Sequence, residues 1–159
     1  MPTFECPYSK RAYAAIKDLT SWYGNLVAIV FRHFPQSTIH PNARLAAEAA
    51  EAAQGLFWEM HDYLFRNQQL LDRQHLLRYA KQLGLDVSKF TSELNSRRHR
   101  GRVEADVRAG AASGMHSTPA FFLNQRRLQH ADTDDLIETV QCELNAKVGP
   151  RLIPVYGTA

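Results

Sequence analysis

Phe4-Glu5-Cys6-Pro7-Tyr8-Ser9-Lys10 is the stretch of this 159-residue chain from which the rest can be read. A short start, Met1 to Glu5, runs into a cysteine and then a proline. Proline suits the first turn of a helix, where its missing N–H costs nothing. Helical pattern then continues from Pro7 to about Tyr23, where Gly24-Asn25 breaks it. Cys6 therefore falls where a strand ends and a helix begins. A thiol there faces unsatisfied backbone N–H groups and the positive end of the helix dipole, which favour an anionic nucleophile. Lys10 and Arg11 add to that effect and Glu5 opposes it. The plainer alternative is a small buried core cysteine.

Outward from this point, Leu26-Val27-Ala28-Ile29-Val30-Phe31 is an apolar, β-branched run between Gly24 and Pro35, and reads as a buried strand. From Pro41 to about Gly114 the pattern is helical. Candidate helices are Asn42–Gln54, Phe57–Asn67, Arg73–Leu83, Val87–Ser96 and Arg100–Ser113, with Gly55, Gly84 and Gly101 near the joints. Ala120–Leu123, a polar turn at Asn124-Gln125 and Arg126–Gln129 read as a hairpin. A last helix runs from Thr133 to about Lys147, with Asp132 as its expected cap. The order is βαβ, a helical block, then ββα: an α/β layout with a small sheet covered by helices. We expect one domain over 1–148, with a helical insertion at about 41–114 and a tail at 149–159.

Bulk properties narrow the class. With 45% hydrophobic and 22% charged residues the chain can bury a core, so disorder is not expected. A net charge of +3 is too small to argue for nucleic acid. Its apolar runs fall far short of the roughly 20 residues that span a bilayer, so no membrane insertion is expected. The start lacks a basic stretch followed by an apolar one. As it stands the sequence implies a cytoplasmic protein, or a periplasmic or extracytoplasmic one if a leader has been lost. Two cysteines, Cys6 and Cys142, are too few for a disulfide scaffold. On the last helix Leu136, Ile137, Val140 and Leu144 make one apolar stripe, and Cys142 falls roughly opposite it, toward solvent.

Ser117-Thr118-Pro119 precedes the late strand, and by itself would be an edge or turn proline. Taken together, several segments resemble the DsbA-like thioredoxin-fold oxidoreductases. Phe4–Lys10 resembles that family's F-x-C-P-Y-C-K active site, and Met115–Leu123 resembles its cis-proline loop and following strand. Phe31-Arg32-His33-Phe34-Pro35, His40-Pro41-Asn42-Ala43 and Phe57-Trp58-Glu59-Met60-His61-Asp62 lie between them in matching order. The likeness runs from about Phe4 to Lys147. It implies a thioredoxin-like fold whose two halves flank a helical insertion, with Cys6 as nucleophile, a cis bond at Pro119, and substrate contacts from Pro7, Tyr8, Thr118 and Pro119. The backbone of Thr118 would pair with a bound peptide.

Two departures matter. Ser9 stands where the family has its second cysteine. A dithiol site attacks with one thiol and releases the mixed disulfide with the other, and a serine hydroxyl is too weakly acidic for the second role. The implied activity is thiol–disulfide exchange by a single cysteine, of oxidoreductase or isomerase type, on protein or glutathione disulfides. Ser9 would hydrogen-bond near the thiolate. No cofactor is expected, with glutathione as a co-substrate. Whether Ser9 is natural or introduced stays open at this level. The first strand is also nearly absent, since only five residues precede Cys6 and Pro2 cannot donate to a ladder. The tail Arg151–Tyr156 is a candidate to help there, in cis or from a second copy in a homodimer.

Other functions fit less well. A redox-inactive peptide-binding module would keep the groove without turnover. Kappa-class glutathione transferases share the layout but carry serine where this chain has Cys6. The seven histidines show no ligand-like spacing, although His116, three residues before Pro119, could approach Cys6. The run Arg97-Arg98-His99-Arg100, with Arg102 and Arg108, has no interleaved aromatics for base stacking and reads as a solvated face. The Phe57, Trp58 and Met60 cluster reads as packing of the insertion.

Overall fold

The computed structural model describes residues 2–128 and 133–148. Among them the chain forms α1 (Pro7–Tyr23), a 3-10 turn (Gly24–Leu26), α2 (Ala43–Glu51), α3 (Phe57–Arg66), α4 (Arg73–Gln82), α5 (Val87–Asn95) and α6 (Arg100–Ala112). A hairpin of β1 (Phe122–Leu123) and β2 (Arg126–Arg127) and then α7 (Thr133–Val148) complete it. The helix positions expected from the sequence hold to within a few residues. Asp132 and the tail 149–159 lie outside the described residues.

The chain divides into two compact units. One takes Met1–Lys10 and Phe31–Pro119; the other takes Arg11–Val30 and the chain from Ala120 on. In the first unit α2 is the hub, packing against α3, α4, α5 and α6. Its alanines at 43, 46, 47, 49 and 50 are all buried. Small side chains let neighbouring backbones approach on several sides, and alanine costs nothing in helix propensity. The Ala/Glu-rich stretch that looks compositionally plain is thus the centre of the insertion. Glu48, buried in the same helix, is paired with Arg97 Nη2 at 2.7 Å. Asp72 and Asp86 cap α4 and α5 by accepting backbone N–H groups of the first turn.

The basic run of α6 and its approach is laced to acids. Arg98 and His99 meet Glu93, Arg100 meets Glu104, and Arg102 donates to Asp106 at 2.7 Å. Buried Asp106 also accepts from Arg32 and from the His33 backbone N–H at 2.9 Å, and His33 Nε2 lies 3.0 Å from Glu51. The hydrogen bond from His33, opposed by partial burial, holds the Glu51 carboxyl below its usual 4.5. A carboxylate depressed in the folded state stabilises the fold above its unfolded value, and that contribution is lost as pH falls through the folded one. We therefore expect Glu51→Gln to flatten the acid limb of stability below about pH 4.5. Denaturant titrations across that range check this; an unchanged acid slope would contradict it.

In the second unit Leu19 and Tyr23 of α1 pack on Leu136 and Val140 of α7, joined by Phe121, Leu123 and Leu128 around the hairpin. Asn124 and Gln125 both have positive φ, at 48° and 70°, the two-residue turn that matches strand twist in a hairpin. Cys142 is exposed, as its place opposite the stripe implies.

Three expectations are corrected. Leu26–Phe31 forms no ladder and is not buried: alternate residues face outward, Leu26 at 44% and Val30 at 75% exposure. The N-terminal segment is a turn rather than a strand stub, with Cys6 N–H donating to Thr3 O at 3.2 Å. Among the described residues its backbone bond to the stretch 31–35 runs from Phe34 N–H to Pro2 O. An extended run counts as a strand only when a neighbour accepts and donates in register, and a turn at residues 3–6 that follows a proline offers no such row. Trp58 is also not core, being 46% exposed, whereas Met60 is fully buried.

Candidate functional site

All residues of the site fall within the first unit. Phe4 anchors the chain entering it. The ring is buried and packs on Phe65 at 4.9 Å, stacks on Phe31 at 5.5 Å and meets the edge of His61 at 5.7 Å. Glu5 turns the other way, where both its oxygens accept from Asn42, from the backbone N–H at 2.9 Å and the side-chain amide at 3.2 Å. Asn42 stands at the start of α2, so this carboxylate neutralises a helix N-terminus. The negative charge set against Cys6 in the sequence is therefore engaged elsewhere.

Cys6 sits at the mouth of α1. Its carbonyl accepts the first helical bond, from Lys10 N–H at 3.1 Å. Gln68 Nε2 also donates to that carbonyl, at 3.0 Å, and to the carbonyl of Phe4. This side chain, from the loop after α3, fixes the path of the backbone on both sides of Glu5. Cys6 is 5% exposed, and its S–H donates to the carbonyl of Thr118 at 3.6 Å. The Thr118–Pro119 peptide bond is cis. Thr118 Oγ1 donates to Gln36 Oε1 at 3.1 Å, while Gln36 Nε2 donates to the carbonyl of His116 at 3.2 Å.

Pro7 and Tyr8 are exposed beside the thiol, Tyr8 at 60%. Ser9 is wholly buried, and its partner differs from expectation. Its hydroxyl oxygen accepts from the backbone N–H of Thr3 at 3.2 Å rather than standing hydrogen-bonded to the thiol. The third helical position reaches back to the chain entering the helix, as in a capping box. The hydroxyl of Thr3 itself is buried without a hydrogen-bond partner among the described residues. His116 is exposed, and it meets Gln36 through its backbone carbonyl rather than its ring. Cys6, Thr118 and Pro119 are thus brought together, with Pro7 and Tyr8 flanking them and Ser9 buried in the same turn. Among the described residues no group of three or more His, Cys, Asp or Glu could hold a metal ion.

Gln36 and Gln68 carry no sequence signal. Each acts through a single side-chain amide bonded to a distant backbone or hydroxyl, and a lone glutamine in a loop has no periodicity to read.

The family model described as thioredoxin matches residues 3–141. Among curated relatives, the Na(+)/H(+) antiporter NhaA 3 of Salinispora tropica is 48% identical over 126 residues, 78% of this chain and 19% of the relative. The Na(+)/H(+) antiporter NhaA of Herminiimonas arsenicoxydans is 44% identical over 128 residues, 79% of this chain and 20% of the relative. The chain spans about a fifth of the length of these relatives. Among solved structures, a thioredoxin-like oxidoreductase from Silicibacter pomeroyi superposes with a TM-score of 0.76 at 23% identity, covering 89% of this chain and 82% of that one. The oxidised form of BdbD from Bacillus subtilis superposes with a TM-score of 0.73 at 22% identity, covering 91% and 85%. The thioredoxin-like fold class expected from the sequence is shared with both.

Proposed function

Because this chain belongs to the thioredoxin family, with residues 3–141 matching it, we propose that it is a thiol–disulfide exchange protein working through one cysteine, Cys6. The observation that carries this reading is the thiol at the start of α1, 3.6 Å from the carbonyl of Thr118 beside a cis-proline. Cys6 loses its proton to solvent and attacks a disulfide RS–SR. One S–S bond forms to Cys6, the other breaks, and RS⁻ leaves. Ser9 cannot complete the cycle, so a second thiol, reduced glutathione or a protein cysteine, attacks the mixed disulfide and releases Cys6. Pro7, Tyr8, Thr118 and Pro119 line the approach of a protein or glutathione disulfide. Glutathione is a co-substrate here and no resident cofactor takes part.

The slight exposure of Cys6 favours a second reading, a redox-silent binding module. The antiporter relatives fit a version of it in which such a module works beside a membrane transporter. Intact mass after incubation with oxidised glutathione separates the readings. One glutathionyl adduct, mapped to Cys6, supports exchange; a protein modified only at exposed Cys142 would overturn it.

A further inference from the structure

We infer that Gln36 is a positioning residue of this site, holding the Thr118 loop in the shape needed to pair with a peptide-borne disulfide. The inference rests on the reading of Cys6 as nucleophile and adds a determinant of its preference among disulfides.

Gln36 is itself well held. Its carbonyl accepts from Ile39 N–H at 3.1 Å and from His40 N–H at 2.9 Å, so its backbone is locked in a turn. Its side-chain amide then spans the loop, accepting from Thr118 Oγ1 and donating to the His116 carbonyl. A primary amide offers one acceptor and two donors on a planar group, so these two bonds fix the loop both at the residue before the proline and two residues earlier. Thr118 is the residue whose carbonyl receives the Cys6 S–H. Once Cys6 gives up its proton to attack, that donor is gone, and the carbonyl can accept an N–H from the incoming peptide backbone. It can do so only while the loop stays in place, and that is what Gln36 secures. A disulfide with no peptide backbone gains nothing from this arrangement.

The test compares two reagents with the same leaving group. One is a short peptide whose cysteine carries an activated pyridyl disulfide; the other is dipyridyl disulfide, which has no backbone to pair. Second-order rate constants are measured for the parent, Gln36→Ala, Thr118→Val and the double variant, with thermal melts of each. Loss of two neutral hydrogen bonds sets the scale, about tenfold, for the fall in the peptide-to-dipyridyl rate ratio in Gln36→Ala. Thr118→Val should show a loss of the same kind, and the double variant should lose no more than the larger single change, because both remove one contact. Gln36→Glu, which keeps the acceptor for Thr118 but loses the donor to His116, should fall between parent and alanine. Should Gln36→Ala fail to fold, Thr118→Val alone carries the comparison. An unchanged ratio in the variants, or fully additive losses, would overturn the inference while leaving Cys6 a nucleophile. A parent that reacts with neither reagent would overturn the exchange reading itself.

Discussion

Ser9→Cys is expected to convert a site that stalls at the mixed disulfide into one that releases it unaided. Positions 6 and 9 are three residues apart at the start of α1, and side chains at that spacing sit about 5–6 Å apart at Cβ on one turn. A small rotation of the first turn brings two sulfurs within bonding distance. Cysteine nearly matches serine in size, and the wholly buried position leaves little room for anything larger. The cost falls on Thr3, whose N–H now donates to the Ser9 hydroxyl at 3.2 Å. Sulfur is a weak acceptor, so the reduced variant should lose about 1 kcal/mol of stability. The gain is chemical. With glutathione withheld, the reduced variant should attack one disulfide and release both of its halves as thiols when the bond between positions 6 and 9 closes, whereas the parent keeps one half bound to Cys6 and accumulates mixed disulfides on non-reducing gels. A variant that forms its internal disulfide yet remains as slow as the parent would make the binding-module reading the better one.

Cys6→Ser should abolish mixed-disulfide formation in both the parent and the Ser9→Cys background. On the exchange reading Cys6 carries the one thiol among the described residues of the site, and a hydroxyl cannot replace it. The fold should survive, because the polar bonds that shape this corner use the backbone of Cys6. Lys10 N–H and Gln68 Nε2 both donate to its carbonyl, and its own N–H donates to Thr3 O. Cys142→Ser should leave the reaction intact, since Cys142 lies exposed on α7. The comparison is made by alkylation-coupled mass mapping after disulfide challenge. Reaction retained in Cys6→Ser would assign the chemistry elsewhere.

How much of this was legible from residues follows from which interactions leave a local pattern. Helix starts and stops are written in Pro7, Gly24, Gly55 and Gly84, and the helices lie within a few residues of where those signals put them. The apolar stripe of α7 told the surroundings of Cys142. Strands fared worse, because Leu26–Phe31 has strand composition but strand formation is a property of pairs. Nothing within the run reveals whether a neighbour is available. The site divides the same way. Cys6 and Pro119 sit in recognisable motifs, whereas Gln36 and Gln68 join residues 80 or more and 60 or more positions apart. Ser9 was visible as a residue, yet its bond to Thr3 depends on a turn at residues 3–6 that the expected strand stub would not have made.

The central claim is that one cysteine forms the mixed disulfide and an outside thiol resolves it. The direct measurement is the release of glutathione from the purified Cys6 adduct, freed of small thiols. The account predicts an adduct that persists alone and decays at a rate proportional to added reduced glutathione, returning free Cys6 and oxidised glutathione. Release at the same rate without added thiol would contradict it.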